Sequence, residues 1–62
     1  MKANQIKKNI IQKFIMTEFV NGRLENQQQI DNMIAVVSGK LSMPKMEAAE
    51  FIHNTINSHE NS

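Results

Sequence analysis

Few residues in this chain have types suited to chemistry, and their spacing sets them apart from one another. There are two histidines and no cysteine among 62 residues. His53 and His59 lie six positions apart, and at ~100° per residue that spacing puts two imidazoles on different sides of a helix. Two imidazoles so placed, without a thiolate, make a poor metal site. No serine or aspartate is placed to orient a histidine as a general base. There is no glycine-rich phosphate loop, and a chain this short cannot enclose a paired-carboxylate cleft. The residues therefore predict a protein that is not an enzyme and takes no metal or cofactor.

What remains is chemistry of contact. Lys2, Gln5, Lys8, Asn9, Gln12 and Lys13 form one polar sector of a helix in which cations could meet phosphates and amides could read base edges. Lys45 adds a further cation. No aromatic residue is interleaved there, so stacking on single strands is not expected. Met43, Met46 and Phe51 could form an adaptable apolar patch for a partner protein. Around Ser42 the stretch LSMPKMEAAEFI resembles the turn and recognition helix of bacterial repressors, with Leu41 and Met46 as apolar anchors. That register sets Val36 at the helix crossing. The other register, with Ala35 and Gly39 at the small-residue and turn positions, requires Lys40 and Lys45 to be buried as anchors. Either recognition helix would present Glu47 and Glu50 to phosphates against Lys45 alone, which opposes groove reading. Gln27 to Asp31, QQQID, resembles the Ser-Gln-Glu-Leu-Asp signature of small helical-hairpin phosphatases of response regulators at Gln28 and Asp31. Ile30 replaces the leucine, and the serine and glutamate are Gln27 and Gln29. The chain is not assigned to that family.

Three helices must position these groups. The core element is residues 30–41, where Ile30, Met33, Ile34, Val37 and Leu41 recur on one narrow side of a helix. The pattern predicts an all-α fold of three short helices, about 4–20, 26–40 and 43–57, forming a small bundle completed by dimerisation. Asn21-Gly22 stops the first helix, Asn26 caps the second, and Ser42 caps the third with Pro44 in its first turn. Gly39 falls in the last turn of the second helix. Residues 1–57 form one helical domain, and 58–62, without periodicity, read as a disordered tail. On the first helix Ile6, Ile10, Ile11, Phe14, Ile15 and Phe19 spread over more than half the circumference, more than one neighbour can cover. Its C-terminal end, with Ile11, Ile15, Met16, Phe19 and Val20, is the expected dimer interface, the alternative being that the second and third helices of the same chain cover it.

Size and charge point the same way. A 62-residue chain buries only about 60% of the surface its unfolded form exposes, and without disulfides or metal the common remedy is self-association. No apolar run approaches the ~18 residues of a membrane span, and no apolar stretch of a secretory signal follows Lys2, Lys7 and Lys8. A cytoplasmic location is expected. Net charge is +1, but it is segregated. In residues 1–23, Lys2, Lys7, Lys8, Lys13 and Arg23 against Glu18 give +4. In residues 24–62, Lys40 and Lys45 against Glu25, Asp31, Glu47, Glu50 and Glu60 give −3. Such polarity suits an acidic partner, nucleic acid, or self-pairing. The expected function is a small regulatory or inhibitory protein that binds another protein through an apolar helical surface. The alternative is a nucleic-acid-binding regulator that uses the basic face of the first helix or a degenerate helix-turn-helix at Ser42.

Overall fold

The computed structural model describes the backbone of residues 2–60 and the side chains of residues 5–59. It is an all-α bundle of α1 (Lys2–Val20), α2 (Gln27–Leu41) and α3 (Lys45–Glu60), with each helix packed on the other two. No strand occurs among the described residues.

Local chemistry sets most of the boundaries. At the end of α1, Gly22 takes φ +73°, Arg23 N–H donates to the Glu18 carbonyl at 2.9 Å, and Gly22 N–H donates to that of Phe19 at 3.1 Å. These are the two bonds of a Schellman stop, which needs a left-handed residue and so favours glycine. Asn26 then caps α2. Its Oδ1 accepts from Gln29 N–H at 2.9 Å, while the Gln29 side chain accepts from the backbone N–H of Asn26 at 3.3 Å, closing a capping box.

The start of α3 differs from the expectation. Ser42 does not cap it. It ends α2 instead, in a left-handed conformation (φ 53°, ψ 50°), with Met43 N–H donating to the Ser38 carbonyl at 3.1 Å. Ser38 Oγ also donates to the Met43 carbonyl at 2.6 Å. The physical reason lies in Pro44, whose ring disfavours the α conformation for Met43 and so blocks a helix from starting there. Pro44 stands just before α3 rather than inside its first turn, and its carbonyl accepts from Ala48 N–H at 2.9 Å. At the other end α3 continues through Ser58, His59 and Glu60, where a tail was expected. Residues 61 and 62 of that expected tail lie outside the described residues. The helix start at Lys2 is also two residues earlier than the periodicity indicated.

The core consists of Ile11 and Ile15 from α1, Met33 and Val37 from α2, and Ala48 and Ile52 from α3. Leu24, Ile34, Leu41, Met43, Phe51 and Ile56 pack against it from the sides. Thr55 is the one buried polar residue among those described, and its hydroxyl donates to the Phe51 carbonyl at 2.8 Å, so its burial leaves no unpaired group.

Candidate interaction surface

Helix α1 carries two apolar ladders of i, i+4 spacing. Ile11, Ile15 and Phe19 form one; Ile6, Ile10 and Phe14 form the other, turned from the first by ~140°. The bundle accepts only the first ladder. Ile11 and Ile15 are buried in the chain's own core and Phe19 is half-buried, whereas Ile6 and Ile10 are 59% and 61% exposed and Phe14 40%. Val36, on the side of α2 nearest the outer ladder, is also 40% exposed. Ile10, Phe14 and Val36 make a continuous apolar surface across α1 and α2, and Ile6, one turn before Ile10, extends it along α1 toward the depression shared with α3.

Its relief and charge are defined. A depression of about 520 Å³ is lined by Ile10, Ile11, Phe14 and Val36, with Lys7 and Lys40 at its rim. It runs on into a second depression of about 270 Å³, where Phe14, Met33 and Val36 meet Glu18, Arg23 and Asn32. There Arg23 Nη1 donates to Glu18 Oε2 at 3.2 Å, the one ion pair found among the described residues. The surface thus has an apolar middle, a lysine end, and an end bearing the Glu18–Arg23 pair and the Asn32 amide.

The expected dimer residues separate in the fold. Ile11 and Ile15 are taken up by their own chain, Met16 is half-buried beside Thr55 and His59, and Val20 is 72% exposed at the end of the helix. The expected partner patch also divides. Met43 and Phe51 are half-buried against the core, while Met46 points to solvent at 80% exposure. Positions 46 and 51 stand ~140° apart around a helix, so one partner cannot cover both from a single direction.

Among the polar candidates, Gln5, Lys8, Asn9 and Lys13 are exposed and Gln12 is half-buried. Gln5 Nε2 donates to Asn9 Oδ1 at 3.0 Å, which occupies part of the amide row. Lys8 faces a hollow beside Ser42, Pro44 and Glu47, whereas Lys13 borders another near Ser58 and His59, so the two lysines flank the sector from opposite sides. Lys45 is exposed at the start of α3, and the side chain of Lys2 lies outside the described residues.

Neither repressor-like register forms a buried crossing. Ala35 and Gly39 are exposed, a Cβ on Gly39 would meet nothing within 4 Å, and Met46 anchors nothing. In QQQID, Gln29 serves the capping box, and Gln27 Nε2 donates to Asp31 Oδ1 at 2.8 Å. The exposed His53 shares a 2.9 Å hydrogen bond with the Asn57 amide, one turn on. No group of three metal-ligating residues occurs among those described, and none of the described helices is long and apolar enough to cross a membrane.

Fold and surface together define a three-helix bundle with an uncovered apolar face across α1 and α2. Comparison of the chain with protein-family models, curated proteins and solved structures finds no match.

Proposed function

We propose that this is a small, non-enzymatic regulatory or inhibitory protein of the cytoplasm that acts by binding another protein chain, and that it also self-associates. The observation carrying this reading is the uncovered surface of Ile6, Ile10, Phe14 and Val36. A contiguous apolar patch with a charged rim is the usual form of a protein-binding site, and here the patch spans two helices, whereas the more exposed Val20 and Met46 stand apart from it. The test is affinity capture from the source cells with wild type and with Ile6→Asp/Ile10→Asp. Both positions are more than half exposed, so helicity by circular dichroism stays unchanged. A discrete protein recovered by wild type is lost with the double variant; equal recovery by both would refute the reading.

A second reading is favoured by the exposed Lys8, Asn9 and Lys13, which could meet the backbone of duplex or structured RNA or DNA. It requires binding that weakens steeply between about 50 and 200 mM salt, with a shallower slope in Lys8→Ala/Lys13→Ala. Absence of any mobility shift at low salt removes it.

A further inference from the structure

We propose that the α1–α2 face binds a second copy of this chain, antiparallel about a two-fold axis that passes between Ile10 and Phe14. This rests on reading the face as a protein-binding surface, and it names the protein that occupies it.

The argument is the self-complementarity of the face. A two-fold contact uses the same patch on both subunits, so whatever lies at one end of the patch must suit what lies at the other. Ile10 and Phe14 are one turn apart and centred on position 12 of α1. Val36 borders both depressions, so it sits at the level where they join. The polar ends share this centre. Lys7 and Glu18 are centred between positions 12 and 13 of α1, and Lys40 and Asn32 are centred on position 36 of α2. At ~1.5 Å rise per residue the two α1 centres differ by under ~1 Å.

The axis therefore lays Ile10 on Phe14 of the second copy and Phe14 on its Ile10, with the two Val36 side chains close to the axis. The same rotation sets Lys7 opposite Glu18 of the second copy and Lys40 opposite its Asn32. A parallel arrangement would instead bring Lys7 to Lys7 and Lys40 to Lys40, which like-charge repulsion opposes.

The charged groups are available for this. Among the described residues the one ion pair uses Arg23, and neither Lys7 nor Lys40 belongs to it. Arg23 holds Glu18 through Oε2, which fixes the carboxylate on the face. Glu18 is only 19% exposed, so its position is set before a second copy arrives. Capture of a different protein at this face then requires exchange with the second copy.

Sedimentation equilibrium at micromolar concentration tests the pairing. Wild type gives a mass approaching twice 7.1 kDa, and Ile10→Asp gives the monomer with unchanged helicity. Each pairing occurs twice across the axis, so Lys7→Glu and Glu18→Lys each raise the dimer Kd about tenfold. Lys7→Glu/Glu18→Lys together bind more tightly than Glu18→Lys alone, because the swapped charges again face each other, but stay weaker than wild type because the reversed charge at position 18 stands beside Arg23. Thermal melts establish that each variant is folded. A dimer that ignores Ile10→Asp, or a double variant at least as weak as the worse single, overturns the proposal. So does a monomer at every concentration. If that monomer still captures a protein in an Ile10-dependent way, the second copy is excluded and the protein-binding reading stands; if capture ignores Ile10→Asp, both fall.

Discussion

Gly39→Ala should stabilise the protein. Gly39 lies in α2 two residues before its end, at a φ outside the left-handed region, and an added Cβ would meet nothing within 4 Å. Glycine in a helix interior is less favourable than alanine by about 0.8–1.0 kcal/mol, chiefly through the backbone freedom lost on folding. Position 39 is close enough to the helix end that fraying trims this, leaving a gain of about 0.5–1 kcal/mol. With an unfolding entropy of ~2.1 cal/mol/K per residue, a chain of this length changes by about 0.13 kcal/mol per degree, so Tm should rise by about 4–8 °C. Thermal unfolding followed by far-ultraviolet circular dichroism measures this at matched concentration. An unchanged or lower Tm would refute the reasoning, because it would mean that another surface closes on the Cα of Gly39 and that a methyl group cannot be accommodated.

Ser42→Gly places a glycine where the backbone asks for one. Relief of the left-handed conformation, worth about 1–2 kcal/mol, outweighs the ~1 kcal/mol of added unfolded-state freedom, so urea denaturation should give a small net gain in stability. If Ser42 capped α3 instead, removing its hydroxyl could not help. Asn26→Ala removes the cap of α2 and should lower stability by about 1 kcal/mol, read as a fall in Tm of about 8 °C. Adding Gln29→Ala to it should cost less than the sum of the single changes, because the two side chains form one box.

The parts of the fold legible in sequence are those decided within a few residues. The α2 stripe emerges as expected, with Met33 and Val37 buried and Ile30, Ile34 and Leu41 half-buried at its edges. Asn21-Gly22 and Asn26 work as read because stops and caps are made by hydrogen bonds three to five residues long. Ser42 was harder, since serine before a proline suits a cap as well as a turn. The restriction that Pro44 puts on Met43 decides between them. The choice between the two ladders of α1 was not legible at all. Ile6, Ile10 and Phe14 match Ile11, Ile15 and Phe19 in spacing and bulk, and only the docking of α2 and α3 selects the second set. For the same reason Ile11 and Ile15 looked available to a partner when they are core. Phe51 lies off the centre of the α3 stripe and suits a partner or its own chain equally; the third helix is flanked on two sides, so a residue at its edge still finds a neighbour.

Magnitudes favour a protein over a nucleic acid as the occupant of the open face. The exposed fractions of Ile6, Ile10, Phe14 and Val36 amount to about two whole side chains. At about 1.5–3 kcal/mol for each fully buried apolar side chain, covering them offers roughly 3–6 kcal/mol per chain before the costs of association. A duplex gives no comparable return to isoleucine and phenylalanine, because its surface at the point of contact is phosphate and sugar. The lysines sharpen this contrast. Among the described side chains the ion pair found joins Arg23 to Glu18, both within the basic segment, and does not bridge the basic and acidic segments. Lys7 stands at the rim of the apolar face and Lys8 away from it, so a protein with a carboxylate beside an apolar ridge uses both features of the face, while a phosphate backbone would use only the lysine.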